Sequence, residues 1–480
     1  LEDLLEFAVD YGRRLGASYS EARYQRDVNQ QTLLKNGVPE ISAASVAKGI
    51  GIRVLVNGSL GFAGTSTIAK AALRRAVKEA VELARVAARA VKQELSMSEE
   101  RMVSSKDVVK PRVPFETVTP ESRVELLREA DMHALEAAKE RDVKLPSRLL
   151  EVGSWNTEKH ILNSDGADIY SSVARATLLY MLTAYHPQRG AVQRFENLGE
   201  ARGWEAVERW DVPTRVGGET ENLCSVLLEA VEPPRGTVDL VLGPEIVGLV
   251  CHESAGHPGE ADRMLGREAA QAGETYVRRE MLGTRIGSEQ VTIVDDPSLP
   301  HSFGYYLYDE EGVKGRERTL IENGVLVELL HNRETGPRFN VGSNGSARAC
   351  LFDKEPIVRM ANTYMKAGGY SVEELVEDVK DGVYIESYQE WNIDDKRWNQ
   401  RYVGVLAHRI RDGKLAELVR NPVVDLTTRA LYSSVDAVGK DLKFYAGYCG
   451  KGEPMQAIPV WFGGPTIRLR NVRVGFRAPG

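Results

Sequence analysis

Two histidines and a glutamate stand together in His252-Glu253-Ser254-Ala255-Gly256-His257. Imidazoles are common metal ligands, and a glutamate beside one of them is placed to take a proton from water. The zinc-protease pattern H-E-x-x-H puts its histidines at i and i+4, on one helix face. Here the spacing is i to i+5, which a regular helix turns roughly 140° apart. The segment offers a way round. Gly256 loosens the last turn, and the residue before Pro258 is steered out of the helical region, so His257 is expected beyond the helix end. A π-bulge would also serve. The plain alternative is a helix C-terminus whose histidines satisfy free carbonyls.

A catalytic zinc normally takes three protein ligands and leaves one position for water. His252 and His257 would supply two. Of the four cysteines, Cys251 points roughly 100° away from His252 on a helix. Cys224 and Cys350 sit in apolar runs and read as core. Cys449 lies in Gly447-Tyr448-Cys449-Gly450-Lys451-Gly452, read as a loop whose glycines let a thiolate turn toward a metal. It reads equally well as a free cysteine in a tight turn. Glu260 is the rival oxygen donor, with an ordinary surface or supporting carboxylate as its plainer role. Glu253, next to a candidate ligand, suits a general base, a role that contributes roughly 100- to 10,000-fold. Tyr445, Tyr448, His331 and His408 are candidate oxyanion donors, and nothing in the sequence selects among them.

The motif needs a helix delivered by a strand. Residues 237–242 read as that strand. Gly243-Pro244 is a helix start, and the helix is expected over 245–256. Upstream, residues 1–15 form an amphipathic helix stopped by Gly16. Asn36-Gly37 and Asn57-Gly58 mark type I′ hairpins. Residues 68–91 give a long helix with Leu73, Val77 and Val81 in its apolar stripe. Residues 94–115 read as a linker, and Thr119-Pro120 opens a helix to about residue 141. Residues 149–193 are strand-rich, broken by a turn at Asn163-Ser164-Asp165-Gly166. Residues 199–234 read as a connector with one helix over 219–232.

Downstream of Asp262, a polar stretch to residue 287 reads as a mobile flap. Strands dominate from residue 291, with hairpins at Asn323-Gly324 and Asp412-Gly413. Ser371-Val372-Glu373-Glu374 is a capping box whose helix is expected to end at Gly382. The fold class is α+β. Residues 1–232 form an N-terminal α+β domain with a mixed sheet and long helices. Residues 233–480 form a β-rich domain carrying the metal-site helix.

Bulk properties narrow the function. Hydrophobic content is 42% and charged content 27%, ordinary for a soluble globular chain. A net charge of -7 argues against nucleic acid or an anionic membrane as partner. No apolar run approaches the roughly 18 residues of a membrane span. No signal peptide is read, and the scattered cysteines do not look like a disulfide framework, so a reducing cytoplasm is the expected location.

Several stretches in one order resemble the TldD/PmbA family, in particular its TldD-like branch of zinc metalloproteases. They are Lys48-Gly49-Ile50-Gly51-Ile52-Arg53-Val54 with Leu60-Gly61-Phe62-Ala63, then the His252 segment with Glu260 and Asp262. Tyr308-Asp309-Glu310-Glu311-Gly312, Leu320-Ile321-Glu322-Asn323-Gly324-Val325 and Arg359-Met360-Ala361-Asn362-Thr363-Tyr364-Met365 follow. Gly447-Tyr448-Cys449-Gly450-Lys451 and Gly464-Pro465-Thr466-Ile467-Arg468 complete the set. The resemblance implies a zinc peptidase with His252, His257 and Cys449 as ligands and Glu253 as base. It implies hydrolysis of unfolded or short peptides in an internal cleft, by a homodimer or a heterodimer with a family relative. One stretch departs from it. Where a glycine-rich segment is expected between Glu386 and Tyr402, this chain carries Trp391 and Trp398, which read as core more readily than as pocket walls.

Two other functions compete. A non-catalytic, peptide-holding subunit would not need the four chemical residues. A thiol hydrolase would use Cys449 with a histidine base. A zinc deaminase is disfavoured, because no H-x-E with a following P-C-x-x-C is present.

Overall fold

The computed structural model describes residues 1–90, 93–267 and 273–476. Among these, no helix is long and apolar enough to cross a membrane. The chain is mixed α+β, and its strands fall into separate sheets along the sequence.

The first sheet is built from long antiparallel strands joined by tight turns. β1 (Tyr19–Lys35) and β2 (Val38–Val56) meet at Asn36-Gly37, and β3 (Ser59–Thr65) follows Asn57-Gly58. Both residues of each pair have positive φ, as a type I′ turn requires. β4 (Ser104–Val109), β5 (Lys144–Asn163), β6 (Asp168–His186) and β7 (Gly190–Glu200) complete it. The order is β3-β2-β1-β5-β6, with β4 and β7 both on β6. β4 corrects the linker expected over 94–115. Its alternating half-buried pattern is short and polar, and pairing parallel to β6 creates the strand.

Helices cover this sheet in two groups. α1 (Glu2–Arg14) and α2 (Lys70–Ala88) bury Leu5, Leu73 and Val77 with Ile50, Ile52 and Val54 of β2. Val91, the expected end of α2, lies outside the described residues. α3 (Pro120–Glu140) starts where Thr119 Oγ1 accepts from the Ser122 N–H at 3.2 Å. It packs with α4 (Glu205–Trp210) and α5 (Val212–Glu229) over β5 and β6. The connector expected over 199–234 is therefore two helices, and α5 begins well before residue 219. Gly217-Gly218 weakened the sequence signal, but tertiary packing of Val216, Leu223 and Leu227 carries the helix through.

The C-terminal part has two larger sheets. β8 (Gly236–Leu242) lies in the nine-stranded one, parallel to Asp381–Ile385 and antiparallel to Ile467–Phe476. The six-stranded sheet ends in Asn362–Met365, Gln456–Gly464 and Lys443–Lys451. α6 (Pro244–Cys251) packs against this second sheet, and every one of its residues is buried. Gly248 makes the contact possible, because a Cβ there would sit 2.7 Å from the Gly463 nitrogen. The capping box is present at Ser371, but its helix ends at Glu377. Gly382 is instead inside a strand, where a Cβ would meet the Asp239 carbonyl at 2.6 Å.

Candidate metal centre

β8 and α6 together aim the motif. α6 ends at Cys251, and His252–Gly256 is one π-helical turn. The His257 N–H donates to the His252 carbonyl, five residues back. That register brings residues spaced i, i+5 onto one face, which an α-helix would not. The rings of His252 and His257 stand 4.9 Å apart between centroids. His257 keeps helical φ and ψ of -58° and -46° despite the following proline, which corrects the expected exit from the helix. Pro258 falls in the first turn of the short helix His257–Gly259, where its missing N–H costs nothing. Gly256 serves close packing rather than looseness. A Cβ there would come 1.9 Å from Met360 Sδ.

The third group comes from far along the chain. Cys449 is not in a loop; it lies within the strand Lys443–Lys451, opposite Ile458. The glycines around it belong to a ladder whose pairing the local sequence did not announce. Cys449 Sγ is 3.3 Å from His257 Nε2. His252, His257 and Cys449 each offer a ligand atom, all within 4.8 Å of one another, and all three residues are buried. Ligand atoms around one tetrahedral zinc stand about 3.5 Å apart.

The donor set fits such an ion. His252 Nδ1 is buried without a hydrogen-bond partner among the described residues. Burial pushes both histidine pKa values down, favouring the neutral ring a metal needs. Burial pushes the Cys449 thiol up, but the His257 ring and the Arg359 guanidinium outweigh it, and its pKa falls to about 7. Cys251 and Cys224 differ. Both are fully buried with raised thiol pKa values, and neither belongs to the cluster.

Glu260 is fully buried, which excludes the surface role. Its Oε2 lies 3.1 Å from His257 Nδ1 and accepts from Arg263 Nε at 2.6 Å. Arg263 Nη2, which can only donate, also lies 2.9 Å from His257 Nδ1, so Glu260 and Arg263 together fix the ring at Nδ1 while Nε2 faces Cys449. Burial raises the Glu260 pKa, but Lys451, Arg263 and His257 outweigh it and hold the carboxyl well below the usual range. Lys451 in turn donates to Asp262 at 2.6 and 2.8 Å. Arg359 donates to the Cys449 carbonyl and so ties the two sides together.

Glu253 lines a cavity of 210 Å³ together with His252. Tyr445 and the half-exposed Tyr448 also line it, and burial raises the Tyr445 phenol pKa, so it remains a hydroxyl donor. His331 and His408 are elsewhere, beside Thr335 and Glu386 respectively. Trp391 also lines the cavity, contrary to its reading as core, while Trp398 packs on Tyr276 at 5.1 Å.

Two partners were missed in the sequence. Arg397 forms an ion pair with Glu253. Glu245, about two turns before the motif, meets Arg194 at 2.9 Å, and burial pushes its pKa up to about 7. Residues 268–272 of the expected flap lie outside the described residues. Of the remainder, Tyr276 is packed in, donating to the Ser254 carbonyl at 2.9 Å. The only advance signal for Arg397 was the unusual segment before Tyr402.

Comparison with known proteins gives the lineage. Residues 20–84, 113–227 and 235–476 match models of the PmbA/TldA metallopeptidase domain 1, central domain and C-terminal domain. A metalloprotease of Methanothermobacter thermautotrophicus is 34% identical over 464 residues, covering 95% of each chain. The chain belongs to the PmbA/TldD metallopeptidase family. A zinc metalloprotease TldD homolog of Saccharolobus solfataricus is 25% identical, covering 97% of this chain and 98% of its own. The PmbA/TldD fold extends over the whole molecule. TldE from Thermococcus kodakarensis superposes with a TM-score of 0.73 at 18% identity, covering 98% of this chain and 100% of its own.

Proposed function

We propose that this PmbA/TldD member is a zinc-dependent peptidase that hydrolyses unfolded or short peptides inside its cleft. One observation carries the reading: three ligand-type atoms within 4.8 Å of one another, beside a cavity that Glu253 also lines. His252, His257 and Cys449 would hold the ion, which when bound polarises the scissile carbonyl and makes water more acidic. Glu253 takes the proton released by the attacking water and returns it to the leaving amine. Arg397 fixes the direction of the Glu253 carboxylate. Tyr445 or Tyr448 donates its hydroxyl to the developing oxyanion. A cavity of 210 Å³ suits a side chain of an extended peptide and has no room for a folded segment.

The proposal extends to organisation. Residues 1–232 and 233–480 act as two units, and the chain pairs with itself or with a family relative such as a TldE-like protein. A reducing cytoplasm would keep Cys449 a thiol. The test is metal content by mass spectrometry for the wild type and Cys449→Ser. About one zinc per chain, lost in the variant, supports the site. A protein without metal that takes none up sinks the reading in favour of a peptide-holding subunit.

A further inference from the structure

The cleft continues past Tyr448. That residue lines the His252 cavity and also a second cavity of 410 Å³, within the size range of small-ligand sites. One wall of the second cavity is the N-terminal sheet, through Asp27, Lys159 and Arg175. The opposite wall is the C-terminal part, through Arg348 and Ile458, the residue paired with Cys449.

The charges on these walls do not balance. Lys159 is paired with Glu310, which also receives Arg23 at 3.1 Å. Asp27 accepts from Gln25 Nε2 at 2.7 Å. Arg175 and Arg348 are only 6% and 7% exposed, yet neither has an ion-pair partner among the described residues. Backbone carbonyls hold them instead. Arg175 donates to Phe303 and Tyr305, both at 2.9 Å. Arg348 donates to Met360 at 2.6 Å and Pro459 at 3.0 Å, with its guanidinium over the Tyr306 ring. Carbonyls orient a guanidinium but do not neutralise it.

Burial pushes Arg175 down to about 9, with Arg348 adding to the effect, and burial pushes Arg348 down to about 10. Both stay cationic at neutral pH. Two buried, oriented, unpaired cations facing one cavity are stabilised by an anion entering it. Planar guanidinium matches planar carboxylate. Asp27 on the wall disfavours a dianion, while Trp155, Ile458 and Pro459 suit the apolar part of a peptide.

We propose that this cavity is a carboxylate subsite. Arg175 and Arg348 receive the C-terminal carboxylate, or an acidic side chain, of a peptide whose scissile bond lies against His252 and Glu253. The proposal rests on the peptidase reading above, and its test separates the two. Equilibrium binding is measured on the full-length Glu253→Gln protein with four matched short peptides. Each has a free acid or an amide at the C-terminus, and Glu or Gln at one side chain.

The expected result is that one acid form binds about 10- to 100-fold more tightly than its neutral match. Which pair shows it identifies the terminal or the side-chain carboxylate. Arg348→Gln and Arg175→Gln, checked for an unchanged melting temperature, should abolish that difference and leave the neutral peptide's affinity intact. Equal affinity for all four peptides overturns the subsite. So does an acid preference that survives both substitutions. If a substitution unfolds the protein, the peptide comparison alone decides. Zinc content of the wild type is read in parallel. Metal and cleavage without acid preference sink only the subsite; acid preference without metal sinks only the peptidase reading.

Discussion

One wall of the His252 cavity is carried by α6, the π-helical turn and the Cys449 strand. The other includes Tyr388 and Trp391, from the hairpin formed by Tyr388–Ile393 and Asn399–Gly404. From His252 to Arg263 the first wall is buried, and Glu260, Arg263, Lys451 and Asp262 are linked by ion pairs, while Tyr448 on the Cys449 strand is half exposed. The second is open. Trp391 is 36% exposed, and the hairpin tip reaches inward through one buried side chain, Arg397, whose φ is 62°. The contrast teaches a division of labour. The packed wall holds the proposed ligands His252, His257 and Cys449 with their ligand-type atoms within 4.8 Å of one another. The hairpin wall carries the exposed Trp391, yet it is tied to the packed wall through Arg397 on Glu253 and through Gln400, whose Oε1 accepts from Ser254 Oγ at 2.9 Å.

The largest expected effect comes from breaking the packed wall's proposed ligand set. His257→Ala or Cys449→Ser should lose the metal, and peptide turnover should fall by more than about 10,000-fold. Metal analysis and single-turnover assays read the two quantities together. Glu253→Gln comes next. It should keep the metal and lose about 100- to 10,000-fold in kcat; turnover at the wild-type rate would remove Glu253 from the mechanism.

Glu260→Gln should weaken metal affinity by about 10- to 100-fold, read by competition with a chelator, because His257 loses one of its charged orienting partners. An unchanged affinity would mean that the carboxylate serves only folding. Gly256→Ala should cost about 1–3 kcal/mol in denaturant unfolding, as Met360 is displaced. Trp391→Ala, on the hairpin wall, should change kcat/KM among peptides by less than about tenfold and leave metal content untouched. A larger effect on metal than on peptide choice would erase the distinction between the walls.

Much of this was legible in the sequence. The four pairs read as hairpin turns, Asn36-Gly37, Asn57-Gly58, Asn323-Gly324 and Asp412-Gly413, have positive φ at both residues, whereas Asp165-Gly166, Asn344-Gly345 and Asp381-Gly382 do not, so the dipeptide decides the turn only where it alone joins two strands that pair. The Ser371 capping box is present without tertiary help. The errors fell where distant contacts override local signals. Cys449 looked like a loop residue, and strand pairing with residues 456–464 made it part of a sheet. Trp391 looked like core because large aromatics usually are. Cys350, also read as core, is half-buried and borders the second cavity.

By itself the sequence determined the candidate chemistry: the residue types of His252, Glu253, His257 and Cys449, and the awkward i to i+5 spacing that no regular helix accommodates. It also determined the helix starts, which depend on a few adjacent residues, and the hairpin turns where the flanking strands pair. Only the tertiary structure decided that the helix changes to a π turn at His252, that Cys449 Sγ arrives 3.3 Å from His257, and that Arg397 meets Glu253. Each joins segments more than a hundred residues apart or depends on packing against them, as Gly256 does on Met360. Such positions are set by how whole sheets and helices fill space, and no short stretch of sequence encodes them.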